Sequence, residues 1–172
     1  MKRHVCMLAL MVAVGIVMAG CGTTNKNVKF NEGYKSAKGT KIEVPQAKNT
    51  TGKTFEEIDV EKVLTEEIIK ALGNEGISAD NTYSGNRLLL PCRIAEYEPG
   101  SAFKRWLLPG YGSTVLDVKC ELHEQGHSDA VGVAEARHTV DAGGGYTIGA
   151  WKYIFSNLSK EIAKELKSMM PQ

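Results

Sequence analysis

The sequence lacks a hydrophobic run long enough for a confident transmembrane helix. Its longest apolar stretch, Val5–Met18, follows the basic residues Lys2 and Arg3 and is shorter than the roughly 20 residues that cross a bilayer. The stretch ends in Met18-Ala19-Gly20-Cys21, with small residues before a cysteine, which is the pattern of a bacterial lipobox. We therefore predict a signal peptide over residues 1–20 and an acylated Cys21 as the first mature residue. An ordinary signal peptide or a short anchor is the alternative.

A lipid on Cys21 would hold the protein on a bilayer, because each buried methylene contributes about 0.8 kcal/mol. The next residue is Gly22 rather than aspartate, as in lipoproteins that a Gram-negative cell exports to its outer membrane. The expected location is therefore the periplasmic face of the outer membrane.

Cysteine is scarce in the mature chain. Of four cysteines, Cys6 leaves with the signal peptide and Cys21 carries lipid, so Cys92 and Cys120 remain in an oxidising compartment. An antiparallel register would place them opposite each other, which permits either a disulfide or two buried thiols. Neither cysteine belongs to a close pair of the kind that binds zinc.

The chain also lacks an excess of charge of either sign. Without Lys2 and Arg3, 19 basic residues face 20 acidic ones, for a mature net charge of −1. No strong field attracts nucleic acid, so no nucleic-acid partner is expected. The length suits one domain, which we place at residues 39–170, after a polar, Asn- and Lys-rich tether over residues 21–38. An edge strand within this tether is the alternative.

Hydrophobic periodicity predicts an α+β fold: a mostly antiparallel sheet with two helices packed on one face. Thr54 is the expected N-cap of the first helix. In the strand that contains Cys120, Leu116, Val118 and Leu122 alternate with polar residues. The predicted strands are Gly39–Val44, Arg87–Glu98, Ser113–His123 and Asp129–Val140, and the predicted helices are Phe55–Gly73 and approximately Ile148–Met169.

His123-Glu124-Gln125-Gly126-His127 matches H-E-x-x-H, the pattern of zinc peptidases. That chemistry needs both histidines on one helix face, with the glutamate beside the metal-bound water. Here a strand carries His123 into the motif, and Gln125-Gly126 is typical of a hairpin turn. We therefore predict a hairpin tip and no metal site. A zinc-dependent hydrolase using His123, Glu124 and His127 is the alternative.

Other catalytic patterns are missing. Gly143–Gly149 precedes a helix but lacks the Lys-Ser/Thr of a phosphate loop, and no serine lies in a nucleophile elbow. The expectation is a non-enzymatic protein without a cofactor.

The connection between two predicted strands is unusually apolar for a loop. Pro99-Gly100 indicates a turn, yet large apolar side chains follow beside two cations. These residues either fold back on the core or contact a partner protein or lipid headgroups. The candidate contact residues are Phe103, Lys104, Arg105, Trp106, Leu107, Leu108 and Tyr111.

Glu98-Pro99-Gly100-Ser101, Arg105-Trp106 and Gly110-Tyr111-Gly112-Ser113 resemble the central motif of an uncharacterised family of bacterial lipoproteins, a domain of unknown function. The resemblance covers approximately Ile42 to Lys167 and implies a small α+β lipoprotein with no established enzyme activity. The layout is also similar to the amino-terminal domain of TolB and to the curli-secretion lipoprotein. Fold analogy transfers no function. We expect a periplasm-facing module that binds an envelope protein or assembles with copies of itself.

Overall fold

The computed structural model describes residues 22–108, 111–141 and 149–171. The expected signal peptide, Cys21 and most of the Gly143–Gly149 segment lie outside the described residues. The described strands are β1 (Thr23–Phe30), β2 (Lys41–Glu43), β3 (Lys48–Asn49), β4 (Arg87–Leu89), β5 (Cys92–Glu98), β6 (Thr114–Glu124) and β7 (Ala130–Val140). The described helices are α1 (Val60–Asn74), α2 (Ala102–Leu107) and α3 (Ala150–Met169).

The strands form one mixed sheet, and the α+β class is confirmed. β1, β7 and β6 are neighbours and run antiparallel. Both β4 and β5 pair antiparallel with β6, and β2 and β3 flank them in parallel. Four of these six pairings are antiparallel, as the mostly antiparallel expectation requires, and the two parallel pairings make the sheet mixed. Helix α1 lies between β2 and β4 in the chain, and a connection through a helix lets the two strands run in the same direction.

The predicted strand Arg87–Glu98 is divided into β4 and β5 at Pro91. Proline has no N–H to donate to a sheet ladder. The Leu90 amide instead donates to the Glu43 carbonyl oxygen at 2.9 Å, and the Pro91 carbonyl oxygen accepts from the Glu121 amide at 3.2 Å. The chain thus continues along β6 across a short interruption.

Helix α1 begins later than predicted. Asp59, not Thr54, is the N-cap, and its side chain accepts a hydrogen bond from the Lys62 amide at 3.0 Å. Phe55 lies before the helix, where its ring packs edge-on against Tyr97 at a centroid distance of 4.9 Å. The segment before α1 therefore contributes to the core as an irregular turn.

The core lies between one face of the sheet and helices α1 and α3. Leu116, Val118, Cys120 and Leu122 of β6 are buried, as their alternation predicts. Each fully buried Leu, Ile or Phe stabilises the fold by about 1.5–3 kcal/mol. The buried residues of the two helices are Val60, Leu64, Ile68, Ala71 and Leu72 in α1, and Ala150, Ile154, Phe155, Leu158, Ser159, Ile162, Ala163 and Leu166 in α3.

Cys92 and Cys120 are directly opposite each other on β5 and β6, and they form a disulfide with a Cα–Cα distance of 4.1 Å. The predicted register is therefore confirmed. Of the two alternatives that the sequence left open, the structure contains the bridge.

Part of the expected tether is a strand. β1 pairs with β7 from Thr23↔Thr139 to Phe30↔Gly132, so the sheet begins one residue after Gly22. Within the range 21–38, polar side chains suit β1 because it lies at the edge of the sheet, where its outward side chains are exposed. No helix of the described residues is long and apolar enough to cross a membrane.

Candidate interaction surface

The connection between β5 and β6 is closed at its base by backbone contacts. The Ser101 amide donates to the Gly112 carbonyl oxygen at 2.9 Å. Gly100 and Gly112 both have positive φ angles, 67° and 73°, which glycine adopts without steric cost. A Cβ at Gly100 would lie 2.5 Å from the Ser113 carbonyl oxygen. These two glycines therefore let the two ends of the connection approach each other.

Arg105 holds this base together from inside. Its guanidinium donates to the Gly112 carbonyl oxygen at 2.6 Å and to the Thr114 hydroxyl oxygen at 2.8 Å. The Thr114 hydroxyl donates in turn to the Pro99 carbonyl oxygen at 2.9 Å. Arg105 is only 3% exposed, and burial lowers its pKa from the ordinary value. The expectation that Arg105 is a surface contact was wrong, because its charge satisfies buried oxygens of the loop.

The β5–β6 connection, which contains helix α2, exposes its large apolar side chains to solvent. Phe103, Trp106, Leu107, Leu108 and Tyr111 are between 54% and 68% exposed, and we call them the apolar loop surface. The Phe103 and Trp106 rings lie 6.2 Å apart between centroids. Lys104 beside them is also exposed. Of the two alternatives from the sequence, folding back on the core or exposure, the structure has these side chains exposed.

The sequence contains a signal for α2 in its N-cap and its apolar spacing. Ser101 is the N-cap, and its hydroxyl oxygen accepts from the Lys104 amide at 3.3 Å. Phe103, Trp106 and Leu107 then follow at helical spacing, three and four residues apart. The surrounding Pro and Gly residues are typical of a loop, so the sequence favoured a loop over these six helical residues.

The apolar loop surface lies at the same end of the sheet as the start of β1. Thr23 pairs with Thr139, Thr139 with Val115, and Val115 with Glu98. These four residues form one row across β1, β7, β6 and β5. Three strand spacings separate Thr23 from Glu98, which amounts to about 14 Å. We call this edge of the sheet the β1-start end, and α2 follows Glu98 by four residues.

The H-E-x-x-H motif lies at the opposite end, on the β6–β7 hairpin. His123 and Glu124 end β6, and the His127 amide donates to the Glu124 carbonyl oxygen at 3.0 Å across the turn. Gly126 has a φ of 85°. The predicted hairpin is confirmed. Since strand and turn replace the helix, the motif does not form the zinc-peptidase arrangement that the alternative requires.

Neighbouring side chains engage the same motif. The Tyr34 hydroxyl donates to Glu124 Oε1 at 3.0 Å, and burial raises the pKa of Tyr34 to about 12. His123 Nε2 lies 3.5 Å from Glu121 Oε2. Within the described ranges, no group of three or more His, Cys, Asp or Glu side chains is arranged to hold a metal ion.

Comparison with known families agrees with the architecture. The model of a family described as a domain of unknown function, DUF4410, matches residues 24–144, which is more than half of the chain. The chain belongs to the DUF4410 family. The match extends from β1 through β7, so the apolar loop surface and the hairpin are both parts of the DUF4410 domain. No curated protein matches the chain.

Two solved structures of PelC are similar to this DUF4410 chain at the level of fold. A PelC dodecamer from Paraburkholderia phytofirmans has 19% identity and a TM-score of 0.56, with 88% of this chain and 99% of that chain covered. A second PelC dodecamer structure from the same organism has 18% identity, a TM-score of 0.55 and the same coverage. Protein XCC0632 from Xanthomonas campestris, of the DUF330 family, has 14% identity and a TM-score of 0.44, with 81% and 88% covered.

Proposed function

We propose that this DUF4410 protein is a non-enzymatic lipoprotein of the bacterial outer membrane that faces the periplasm and binds an envelope protein or further copies of itself. The single observation that carries the proposal is the apolar loop surface, five large side chains exposed together on a base held by buried hydrogen bonds. Monomeric proteins rarely leave such a cluster exposed without an interaction that covers it.

The position of Gly22 supports an anchor close to the folded domain. Gly22 directly follows Cys21, the predicted site of acylation, and β1 begins at Thr23. An acyl group on Cys21 would therefore be joined to the β1-start end of the sheet almost without a spacer. The apolar loop surface belongs to that same end, so lipid headgroups and membrane-bound partners are within its reach.

A further copy of the chain is the partner to test first. The PelC chains of similar fold are described as dodecamers, and symmetric assembly of identical chains is the commonest form of oligomer. The predicted relationship to the TolB amino-terminal domain and the curli-secretion lipoprotein stays a prediction.

The partner test removes the centre of the surface. We expect Trp106→Ala together with Leu107→Ala to abolish in vivo cross-linked species and to leave the fold intact, because both side chains are exposed. Ile69→Ala is the matched control, since Ile69 is an exposed apolar residue on α1, at 42%. If the double variant keeps every cross-linked species of the wild type, the loop assignment is wrong.

Acylation and catalysis have separate tests. Cys21→Ala should abolish palmitate labelling and release the protein from membranes; continued labelling would exclude the lipobox. Zinc measured in the purified protein tests the hydrolase alternative. Stoichiometric zinc that is lost in His123→Ala would contradict the non-enzymatic proposal, whereas the present proposal expects no stoichiometric metal.

A further inference from the structure

An open groove of about 280 Å³ lies beside the end of β5, between the turn that precedes α1 and the first turn of α3. Its apolar lining consists of Phe55, Ile58, Tyr97, Pro99 and Trp151, and we call it the acceptor groove. The volume lies just below the roughly 300–1,000 Å³ of small-molecule sites. The groove therefore suits one or two large side chains better than a cofactor.

The floor of the acceptor groove is fixed by the core. Tyr97 is only 1% exposed, and its ring lies 4.9 Å from the Phe55 ring and 5.1 Å from the Phe155 ring between centroids. The Tyr97 hydroxyl donates to the Trp151 carbonyl oxygen at 2.8 Å. Contacts from β5, α3 and the turn before α1 thus hold the groove in shape, which lowers the entropic cost of filling it.

Two carboxylates lie at the rim of the acceptor groove. Glu56 and Glu57 line it and are exposed, and neither forms an ion pair within the part of the chain that the structure describes. Two cations of this region are engaged elsewhere. Lys53 pairs with a carboxylate of β5, and Lys152 lies over an aromatic ring of α3 at 4.6 Å. The groove therefore suits an apolar group with a cation beside it.

The apolar loop surface has this chemistry. Trp106 and Leu107 are 66% and 58% exposed, and the exposed Lys104 lies on the same side of α2 as Leu107, because residues three apart on a helix are neighbours. Lys104 has no ion pair among the described residues. The five side chains of the apolar loop surface do not line the groove of their own chain. One chain thus carries two complementary surfaces that are separate from each other.

Both surfaces belong to the β1-start end of the sheet. Pro99 lines the acceptor groove, and α2 begins at Ala102, three residues later. Copies that are anchored in one membrane through Cys21 would meet side by side, with their β1-start ends at the same height. The apolar loop surface of one copy is then level with the groove of the next. This step rests on the proposed function.

We propose that the acceptor groove binds the apolar loop surface of a second copy of this chain. Trp106 and Leu107 enter the groove, and Lys104 lies beside the two carboxylates at its rim. Large apolar anchors in well-packed pockets carry most of the binding energy of protein interfaces, whereas exposed ion pairs add little affinity and mainly fix the orientation. The apolar contact therefore determines the strength of self-association, and the charges determine its register.

A photo-cross-linker locates the contact directly. p-Benzoylphenylalanine replaces Leu107 in the full-length protein, and membranes of the expressing cells are irradiated. We expect a cross-linked dimer, and mass spectrometry of its peptides should place the cross-link within residues 54–58 or at Trp151. The same probe in place of Gln125, which is exposed on the β6–β7 hairpin, is the control and should give no dimer.

Charge reversal tests the pairing with the probe kept at position 107. Lys104→Glu should lower the yield of dimer by about fivefold, because an attraction becomes a repulsion. Adding Glu56→Lys and Glu57→Lys to this variant should restore the yield. The matched control adds Glu66→Lys and Glu67→Lys instead, which give the same net charge on α1 but do not line the groove, so the yield should stay low. Circular dichroism verifies that each variant is folded.

The outcomes separate this inference from the proposed function. A dimer whose cross-links join two α2 helices would overturn the groove assignment and leave self-association intact. Equal recovery with the control carboxylates would also overturn it, since net charge alone would then explain the yield. A cross-link to a different protein alone would overturn it and support the envelope partner of the proposed function. Absence of any cross-linked protein would contradict both.

Discussion

The two connections that flank β6 are opposite in design. The β5–β6 connection contains α2, exposes five apolar side chains and is held at its base by buried Arg105. The β6–β7 connection is a short turn, in which Gln125 and His127 are exposed and polar. The first resembles a surface that another molecule covers, and the second resembles an ordinary solvated hairpin. The strand and turn that contain the H-E-x-x-H motif therefore say more about its function than the match of its letters to zinc peptidases.

The disulfide affects these two connections unequally. Cys92 and Cys120 are 28 residues apart and enclose the whole β5–β6 connection, whereas the hairpin lies outside the closed loop. We expect replacement of both cysteines by alanine to lower the free energy of unfolding by about 3–4 kcal/mol, because the unfolded chain gains entropy. Urea denaturation measures the loss. Limited proteolysis should increase first between the two cysteines, and equal increases at the hairpin would contradict this difference.

Arg105 tests whether the β5–β6 connection needs its buried base. Arg105→Ala leaves the Gly112 carbonyl oxygen and the Thr114 hydroxyl without their cationic donor, and we expect a loss of about 2–3 kcal/mol in unfolding free energy. Lys104→Ala changes the same charge on an exposed neighbour and should cost about 0.5 kcal/mol or less. Equal effects of the two variants in chemical denaturation would mean that the base is not structural.

Sequence patterns predicted the parts of the fold in which local preference and burial agree. The alternation of Leu116, Val118 and Leu122 placed β6 correctly, and the opposed cysteines followed from its register. β1 was only an alternative to the predicted tether, because an edge strand of Asn, Lys and Thr has little hydrophobic signal. The parallel pairing of β2 with β4 depends on the path of α1, which periodicity does not describe.

The candidate sites were harder to predict than the fold. Arg105 and Lys104 are adjacent cations in the sequence, yet one is buried and the other is exposed. Arg105 has buried carbonyl partners only because the folded chain brings Gly100 close to Gly112. The acceptor groove likewise joins the turn before α1 to the first turn of α3, two segments that are far apart in the sequence. Interactions of this kind depend on tertiary structure.

His138 and His127, at opposite ends of the sheet, differ in burial. His138 at the β1-start end is buried, and desolvation lowers its pKa below the ordinary value of 6.5. The unfolded chain therefore binds a proton first as the pH falls below 6.5, and the stability contributed by neutral His138 is lost as the pH approaches its folded pKa. Glu161, Lys160 and Lys164 of α3 and Lys26 of β1 surround this region and contribute to the same curve.

We expect thermal melts of the wild type to decline below pH 6.5 and those of His138→Gln to decline less over the same range. His127→Gln at the exposed hairpin should follow the wild-type curve. A His138→Gln curve that parallels the wild type would show that burial of this ring does not govern the acid response.

Variants of exposed side chains should change stability least, so they test the interaction of each connection apart from its contribution to the fold. Trp106→Ala with Leu107→Ala, and Gln125→Ala with His127→Ala, both replace exposed side chains. Each double variant should change the free energy of unfolding by about 0.5 kcal/mol or less per residue. Only the first pair should reduce self-association, measured by light scattering of the detergent-purified protein, because apolar area is lost only there. If the hairpin pair reduces self-association equally, the β6–β7 connection also belongs to the interface. The two connections then differ in polarity, but both contact the partner.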